Sequence, residues 1–273
     1  MQRISQKGWD KMRKSLLISL FFFTVLWNNV YANCSFQTGD VDRGILKVAY
    51  TSSSGKKAKL IIEKGDSKYT YNLNCNGKTE SFPLQLGSGA YKATVLENIS
   101  GNSYRIVDSA QVMANMSDEK AVYLGSIQNI DWNRQNQAIK FAVNLTSSTS
   151  DIGEKARLLY SHIVNNYKYD YNKLASLPTT YLPNIDTTYQ TKTGICYDFS
   201  SLFASMLRSQ GIYAKLVKGY TPNATGYHAW NEVYDQKTKS WLIVDTTYDL
   251  QVIKKKKVTM SKKQSDYQKV YEY

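Results

Sequence analysis

The chain has 273 residues, 42% of them hydrophobic, 13% aromatic and 21% charged, with a formal net charge of +13. That length fits one large domain or two modest ones. Two histidines and three cysteines without clustered acidic partners supply no metal-ligand set, and no nucleic-acid-binding module is recognisable, so neither a metal, a cofactor nor a nucleic acid is expected.

Residues 1–32 read as an export signal and not as part of a fold. The stretch MQRISQKGWDKMRKS carries five basic residues against Asp10, LLISLFFFTVLW is an uncharged, mostly apolar run of twelve, and small Ala32 offers a cleavage position. A basic n-region, an apolar h-region and an A-x-A-like end make a signal peptide. The run is shorter than the ~20 residues a membrane span needs; an uncleaved anchor is the alternative. Cleavage near Asn33 would give a secreted or cell-surface, cell-wall-associated protein. Removing the segment, net +4, leaves +9 on the mature chain.

Residues 33–118 have one texture. Glycines at 55, 65, 77, 87, 89 and 101 mark turns between short runs such as KLIIE, KYTYNL, SFPLQL, AYKATVL and SYRIVD. Turns every ten to twelve residues between alternating β-branched and aromatic strands predict a small all-β sandwich of the immunoglobulin-like kind. With no histidine, this module is expected to bind or to act as a spacer. In an oxidising compartment Cys34 and Cys75 could form a disulfide. Cys75 also ends the strand YTYNLNC on the face of Tyr69, Tyr71 and Leu73, where a buried free thiol fits equally well. Either way Cys196 is the odd thiol.

Residues 119–273 change to an α+β plan, helices followed by a small antiparallel sheet. NQAIKFAVNL reads as a helix. In SDIGEKARLLYSHIVNNYKYD the residues Ile152, Ala156, Leu159 and Ile163 repeat at helical spacing behind a Ser150 or Asp151 N-cap. The threonine-rich stretch 176–194 reads as a loop. A helix is predicted over about 196–210, closed by Gly211, and then three strands, YAKLVKGY, YHAWNEVYD and SWLIVDTTYD. Residues 253–273 carry seven lysines against two acids. The run Lys254, Lys255, Lys256 and Lys257 is either a solvated face or a contact for an anionic cell-wall polymer.

Cys196 stands ahead of the stripe Phe199, Leu202, Phe203, Met206 and Leu207, in the first helical turn. There the unpaired backbone N–H groups and the positive end of the helix dipole favour an anion. Thiolate is the nucleophile, and a helix N-terminus is one of the settings that favours it; the same N–H groups suit a developing oxyanion. A hairpin centred between Gln236 and Lys237 would oppose Glu232 to Trp241, Trp230 to Ile243, and His228 to Asp245, with Cβ atoms ~4.5–5.5 Å apart. Cys196 would then attack an amide carbonyl, His228 would carry the proton, and Asp245 would orient His228. His162 is the competing base, on a helix face without a nearby acid.

The stretches GICYDFSSLFASMLRSQGIYAKLVKGY, YHAWNEV and WLIVDTTYD resemble the transglutaminase-like superfamily, in its bacterial exported members. KARLLYSHIVNNYKYDY is similar to the helix that precedes the core in many relatives. The resemblance covers about 120–250 and leaves out the sandwich. It implies a transglutaminase-like, papain-like catalytic fold with a catalytic Cys196, His228 and Asp245. The family often has proline after the aspartate, where this chain has Thr246. An auxiliary oxyanion donor usually lies upstream of the cysteine, with Tyr189 and Gln190 as candidates. Many animal members use calcium, and no acidic calcium loop is visible.

The resemblance implies a secreted thiol enzyme working on amide bonds through a Cys-linked thioester, first of all a cysteine peptidase or amidase on protein or cell-wall peptide. A cross-linking protein-glutamine transglutaminase is the alternative within the class. Tyr181, Tyr189, Tyr197 and Trp230 could wall the amine tunnel that a transferase needs, while the threonine-rich loop favours an open, wet cleft. A surface binding protein with a vestigial triad is the alternative outside the class.

Overall fold

The first strands of the chain alternate in burial as they do in hydropathy. In β2 (Ile45–Thr51) Leu46, Val48 and Tyr50 point inward, and in β3 (Ala58–Lys64) Leu60 and Ile62 do. β1 (Asn33–Gln37), β2 and β5 (Glu80–Pro83) form one antiparallel sheet. β3, β4 (Ser67–Leu73), β6 (Gly89–Ser100) and β7 (Ser103–Ala114) form the other, in the order β4-β3-β6-β7. Their inner faces share one apolar core that includes Leu60, Phe82, Tyr91 and Val95, and burying a side chain of that size contributes roughly 1.5–3 kcal/mol. The predicted all-β sandwich is present. Cys34 and Cys75 are free thiols at its edge. This computed structural model describes residues 33–52 and 55–273; the segment read as a signal peptide lies outside the described residues. Among the described residues no helix is long and apolar enough to cross a membrane.

A 3-10 helix over Glu119–Leu124 leads from the sandwich into the α+β half. There α1 (Gln137–Leu145) and α2 (Ile152–Asn166) come first. The Asp151 side chain caps α2 by accepting Glu154 N–H at 2.9 Å. β8 (Lys168–Tyr169), α3 (Tyr171–Ala175), α4 (Ile185–Thr191) and β9 (Thr193–Gly194) then bring the chain to α5 (Cys196–Ser209). β10 (Ala214–Tyr220), β11 (His228–Asp235), β12 (Ser240–Val244), α6 (Thr246–Val252), β13 (Ser261–Lys262) and β14 (Gln268–Glu272) complete it. The five strands form one antiparallel sheet, ordered β13-β12-β11-β10-β14. α5 buries Phe199, Leu202, Phe203, Met206 and Leu207 in the core between this sheet and the other helices. Asn231 of β11 ties sheet to helix by donating to Ser200 O at 2.9 Å.

Three elements differ from the sequence-based expectation. The stretch read as a loop contains α4, because Asn184 accepts Thr187 N–H and starts a helix. TTYD after Asp245 opens α6 and does not extend the strand. The basic segment holds β13 and β14, so the sheet has five strands where three were expected.

The two halves meet along β14. Tyr271 and Tyr273 pack edge-on against Tyr69 of β4, with ring centroids 5.5 and 5.8 Å apart. Gln85 donates to Glu272 O at 3.1 Å. Buried Arg208, near the end of α5, donates to three carbonyls: Ala214 at 2.9 Å, Gly125 at 2.7 Å and Tyr273 at 2.9 Å. The described residues fall within one compact unit.

Candidate active site

Cys196 is the first residue of α5, and Asp198 makes that start possible. Ile195 is extended (φ −109, ψ 178) and brings no side-chain cap. The fully buried Asp198 carboxylate instead accepts Ile195 N–H at 2.9 Å. It also accepts Lys173 Nζ at 2.7 Å and the Tyr181 hydroxyl. Gly194 is required here, because a Cβ on it would stand 2.8 Å from the Asp198 Cβ. The first helical bond runs from Phe199 N–H to Ile195 O. The amides of Cys196, Tyr197 and Asp198 therefore have no intrahelical acceptor, and together with the dipole they favour negative charge at the thiol.

His228 opens β11, and Asp245 stands between β12 and α6. The register corrects the expected one by two residues: Glu232 opposes Ile243 and Asn231 opposes Val244. Continued by one step, it sets Asp245 opposite Trp230 and diagonal to His228. The pair still meets, His228 Nε2 donating to Asp245 Oδ2 at 2.9 Å, because an imidazole is long enough to span a diagonal. Asp245 also caps α6 by accepting Tyr248 N–H at 2.9 Å and accepts the Tyr267 hydroxyl at 3.0 Å. Thr246 occupies the first helical position behind that cap, where proline is also favoured, so its departure from the family pattern leaves the turn intact.

With Nε2 committed to Asp245, Nδ1 is the ring nitrogen that His228 has left for Cys196, which lies close enough to favour the charged ring. Burial works against the imidazolium, but the bonds to Asp245 and Cys196 and the charges of both outweigh it and push its pKa up to about 10. A buried thiol, an imidazole and a carboxylate are thus joined in series. Such a series can exchange one proton between sulfur and ring and carry it onward to a leaving group.

A cleft of about 560 Å³ opens on Cys196 and His228 and is lined further by Tyr169, Tyr227, Thr247 and Gln251. Tyr169 was not singled out in the sequence. β8 pairs in parallel with β9, Tyr169 beside Gly194, which brings its ring to the cleft that opens on Cys196. Burial, reinforced by the Cys196 charge, pushes the Tyr169 hydroxyl up to about 12 and keeps it a donor. The signal available was the YKYDY alternation directly after a helix.

The other aromatic and polar candidates go elsewhere. Trp230 is buried, stacked 6.3 Å from His228 and against Tyr267. Tyr181 serves Asp198, and Tyr189 packs on Phe141 with Lys192 over its ring at 3.8 Å. Gln190 bonds Gln137 at the surface. His162 lies between Phe141 and Tyr167, and burial pulls its pKa down to about 4. Lys254, Lys255, Lys256 and Lys257 are exposed in the turn after α6. Lys262, of the same basic segment, binds buried Asp249 at 2.5 Å.

Residues 139–246 match the Transglutaminase-like superfamily. The uncharacterized protein YebA of Bacillus subtilis is 24% identical over 201 residues, which are 66% of this chain and 27% of that protein. The chain therefore spans about a quarter of the length of the curated relative it matches. Among solved structures, a candidate cysteine protease of Cytophaga hutchinsonii is similar at 17% identity and TM-score 0.41, over 74% of each chain. The periplasmic domain of TgpA from Pseudomonas aeruginosa is similar at 13% identity and TM-score 0.37, over 81% of this chain and 96% of that one. The segment that matches the Transglutaminase-like superfamily holds Cys196, His228 and Asp245.

Proposed function

We propose that this protein is an exported thiol enzyme that opens amide bonds through an acyl thioester on Cys196, acting as a peptidase or amidase on protein or cell-wall peptide. The observation that carries the proposal is the series Cys196, His228 and Asp245, with Asp245 holding Nε2 at 2.9 Å and leaving Nδ1 to the sulfur. Cys196 Sγ, its proton passed to His228, adds to the amide carbonyl. The helix-terminal amides face the developing oxyanion. His228 returns the proton to the leaving amine, and a water deprotonated by His228 then releases the acid and regenerates the thiol.

Hydrolysis and acyl transfer share the thioester and differ in whether water or an amine reaches it. Asn223, Thr225, Thr247 and Gln251 line the cleft with hydrogen-bonding groups, which favours water. The threonine-rich stretch 176–194 contributes no residue to this lining. The test offers the enzyme a glutamine-containing protein, a cell-wall peptide and a labelled primary amine, with Cys196→Ala as control. Cys196-dependent cleavage or deamidation supports hydrolysis, and amine incorporation without cleavage establishes the transferase instead. No Cys196-dependent product would leave a binding protein. Export rests on the basic and apolar composition of residues 1–32; a mature N-terminus at about Asn33 is expected, and a wall or medium fraction beginning at Met1 would sink it.

A further inference from the structure

The sheet face that packs on α5 continues past the start of that helix. Leu216 opposes Asn231, which bonds α5. Two residues on, Lys218 opposes Ala229 on one side and Tyr271 on the other, and Tyr220 follows on the same face. Tyr227, just ahead of β11, lies ring to ring with Tyr220 at 5.5 Å. The result is an open shelf beyond Cys196 on which Tyr220, Tyr227 and Tyr271 are 49%, 49% and 41% exposed. Tyr69 of the sandwich closes its far side, 5.5 Å from Tyr271. Tyr227 also lines the Cys196 cleft, so shelf and cleft are continuous.

At the centre of the shelf is a cation without a counter-ion. Lys218 is half-buried, its Nζ 3.6 Å from the Tyr197 ring centroid and 5.3 Å from that of Tyr273. Lys173, Lys215, Lys262 and Lys269 each bind a carboxylate, at 2.7, 3.0, 2.5 and 2.6 Å. Among the described residues Lys218 has no oxygen partner. Burial pulls its ammonium down to about 8, with the Cys196 charge opposing. Two aromatic faces offset only part of the cost of desolvating a charge, so a carboxylate arriving there is favoured.

We propose that this shelf extends the active-site cleft to receive a polypeptide substrate, with Lys218 pairing to an acidic side chain of that polypeptide and Tyr69 of the sandwich as the outer wall. The proposal rests on the thiol-enzyme reading only in taking Cys196 as the reacting end. Flat tyrosine faces rimmed by hydroxyls suit an extended peptide chain, which offers both apolar surface and backbone polar groups. A small amide substrate would fill the cleft alone and leave the shelf unused.

The test uses the full chain carrying Cys196→Ala and fluorescent peptides of about a dozen residues, in which one Glu is moved through an otherwise neutral sequence. At one register the Glu peptide should bind about tenfold more tightly than its Gln counterpart, the scale of a charge-assisted contact. Lys218→Met should erase that difference, Lys218→Arg should keep it, and Tyr271→Ala should weaken both peptides. Absence of a Glu preference at every register, or a preference that survives Lys218→Met, overturns the proposal. So does a cell-wall oligosaccharide that binds more tightly than any of the peptides. The thiol reading is measured separately, by the His228 dependence of Cys196 alkylation in the chain that keeps Cys196. Such alkylation without a Glu preference sinks the shelf alone; a Glu preference without it sinks the enzyme reading and leaves the shelf standing.

Discussion

The sandwich and the five-stranded sheet each bury a carboxylate inside a set of hydrogen-bond donors. Glu97 of β6 accepts the Tyr50 hydroxyl at 2.6 Å, Ser52 at 2.7 Å and Arg105 at 2.9 Å. Asp245 accepts Tyr248 N–H, the Tyr267 hydroxyl and His228. In the sandwich the bonds from Tyr50 and Ser52, opposed by burial and helped by Arg105, hold the Glu97 carboxyl down to about 2. No donor in that set titrates near neutral pH, so the charge has nothing to do but hold three strands, β2, β6 and β7, together. At Asp245 one donor is an imidazole whose other nitrogen reaches a thiol. The same stabilisation of an anion becomes chemistry only where a partner can give up its proton.

The largest expected effect lies on the catalytic side. Cys196→Ala and His228→Ala should each remove turnover by a factor of about 10⁴ or more. Asp245→Asn keeps the cap of α6 and takes away the charge; it should slow Cys196 alkylation near neutral pH on the order of 10³-fold. An Asp245→Asn protein that alkylates at the normal rate would place Asp245 with Glu97, as a structural carboxylate. Glu97→Gln should give the reverse pattern, with stability lowered by about 1–3 kcal/mol and alkylation of Cys196 unaltered.

A pH series sharpens the contrast, since the two groups act at opposite ends. The folded pKa of Glu97 is depressed, so its stabilisation is present above 4.5 and lost as pH falls through about 2. That of His228 is raised, so its stabilisation is present below 6.5 and lost as pH rises through about 10. In thermal melts the gap between wild type and Glu97→Gln should close in acid, and the gap to His228→Ala should close in alkali. Gaps that stay constant across pH would refute both assignments. The smallest effect belongs to neither sheet. Replacing Lys254 to Lys257 by Gln should weaken retention on anionic cell walls and flatten its salt dependence, because exposed charges are screened within ~8–10 Å. Retention that ignores salt would move that contact elsewhere.

The grouping of Cys196, His228 and Asp245 was legible because each sits where local chemistry announces it: a cysteine at a helix start, a histidine at a strand start, an aspartate just after an apolar run. The sandwich was legible from its glycine-marked turns and alternating runs. The register was not, because a two-residue slip keeps every side chain on its face and sequence alternation cannot detect it. Asp245 was read as part of a strand when it caps α6, two roles that an aspartate before threonines fits equally. Tyr267 and Lys218 gave no local sign. Each matters through a partner distant in sequence, Tyr267 through Asp245 and Lys218 through Tyr197 and Tyr273. β14 was hidden by the lysines of the segment leading into it, which suggest a solvated tail, and by Lys269, which Glu232 and Glu272 neutralise.

Arg208 ties the seam between the two halves to the helix that begins with Cys196. Its guanidinium holds carbonyls from the linker after the sandwich, from the start of β10 and from the residue after β14, and the helix that carries it begins with the nucleophile. Until β14 has closed the seam, that buried cation lacks the Tyr273 carbonyl, one of its three acceptors, and a buried donor left without a partner costs stability. Loosening the seam at Tyr273 should therefore be felt at the start of α5, and a chain lacking that carbonyl contact should lose proteolytic resistance and its normal Cys196 alkylation rate together.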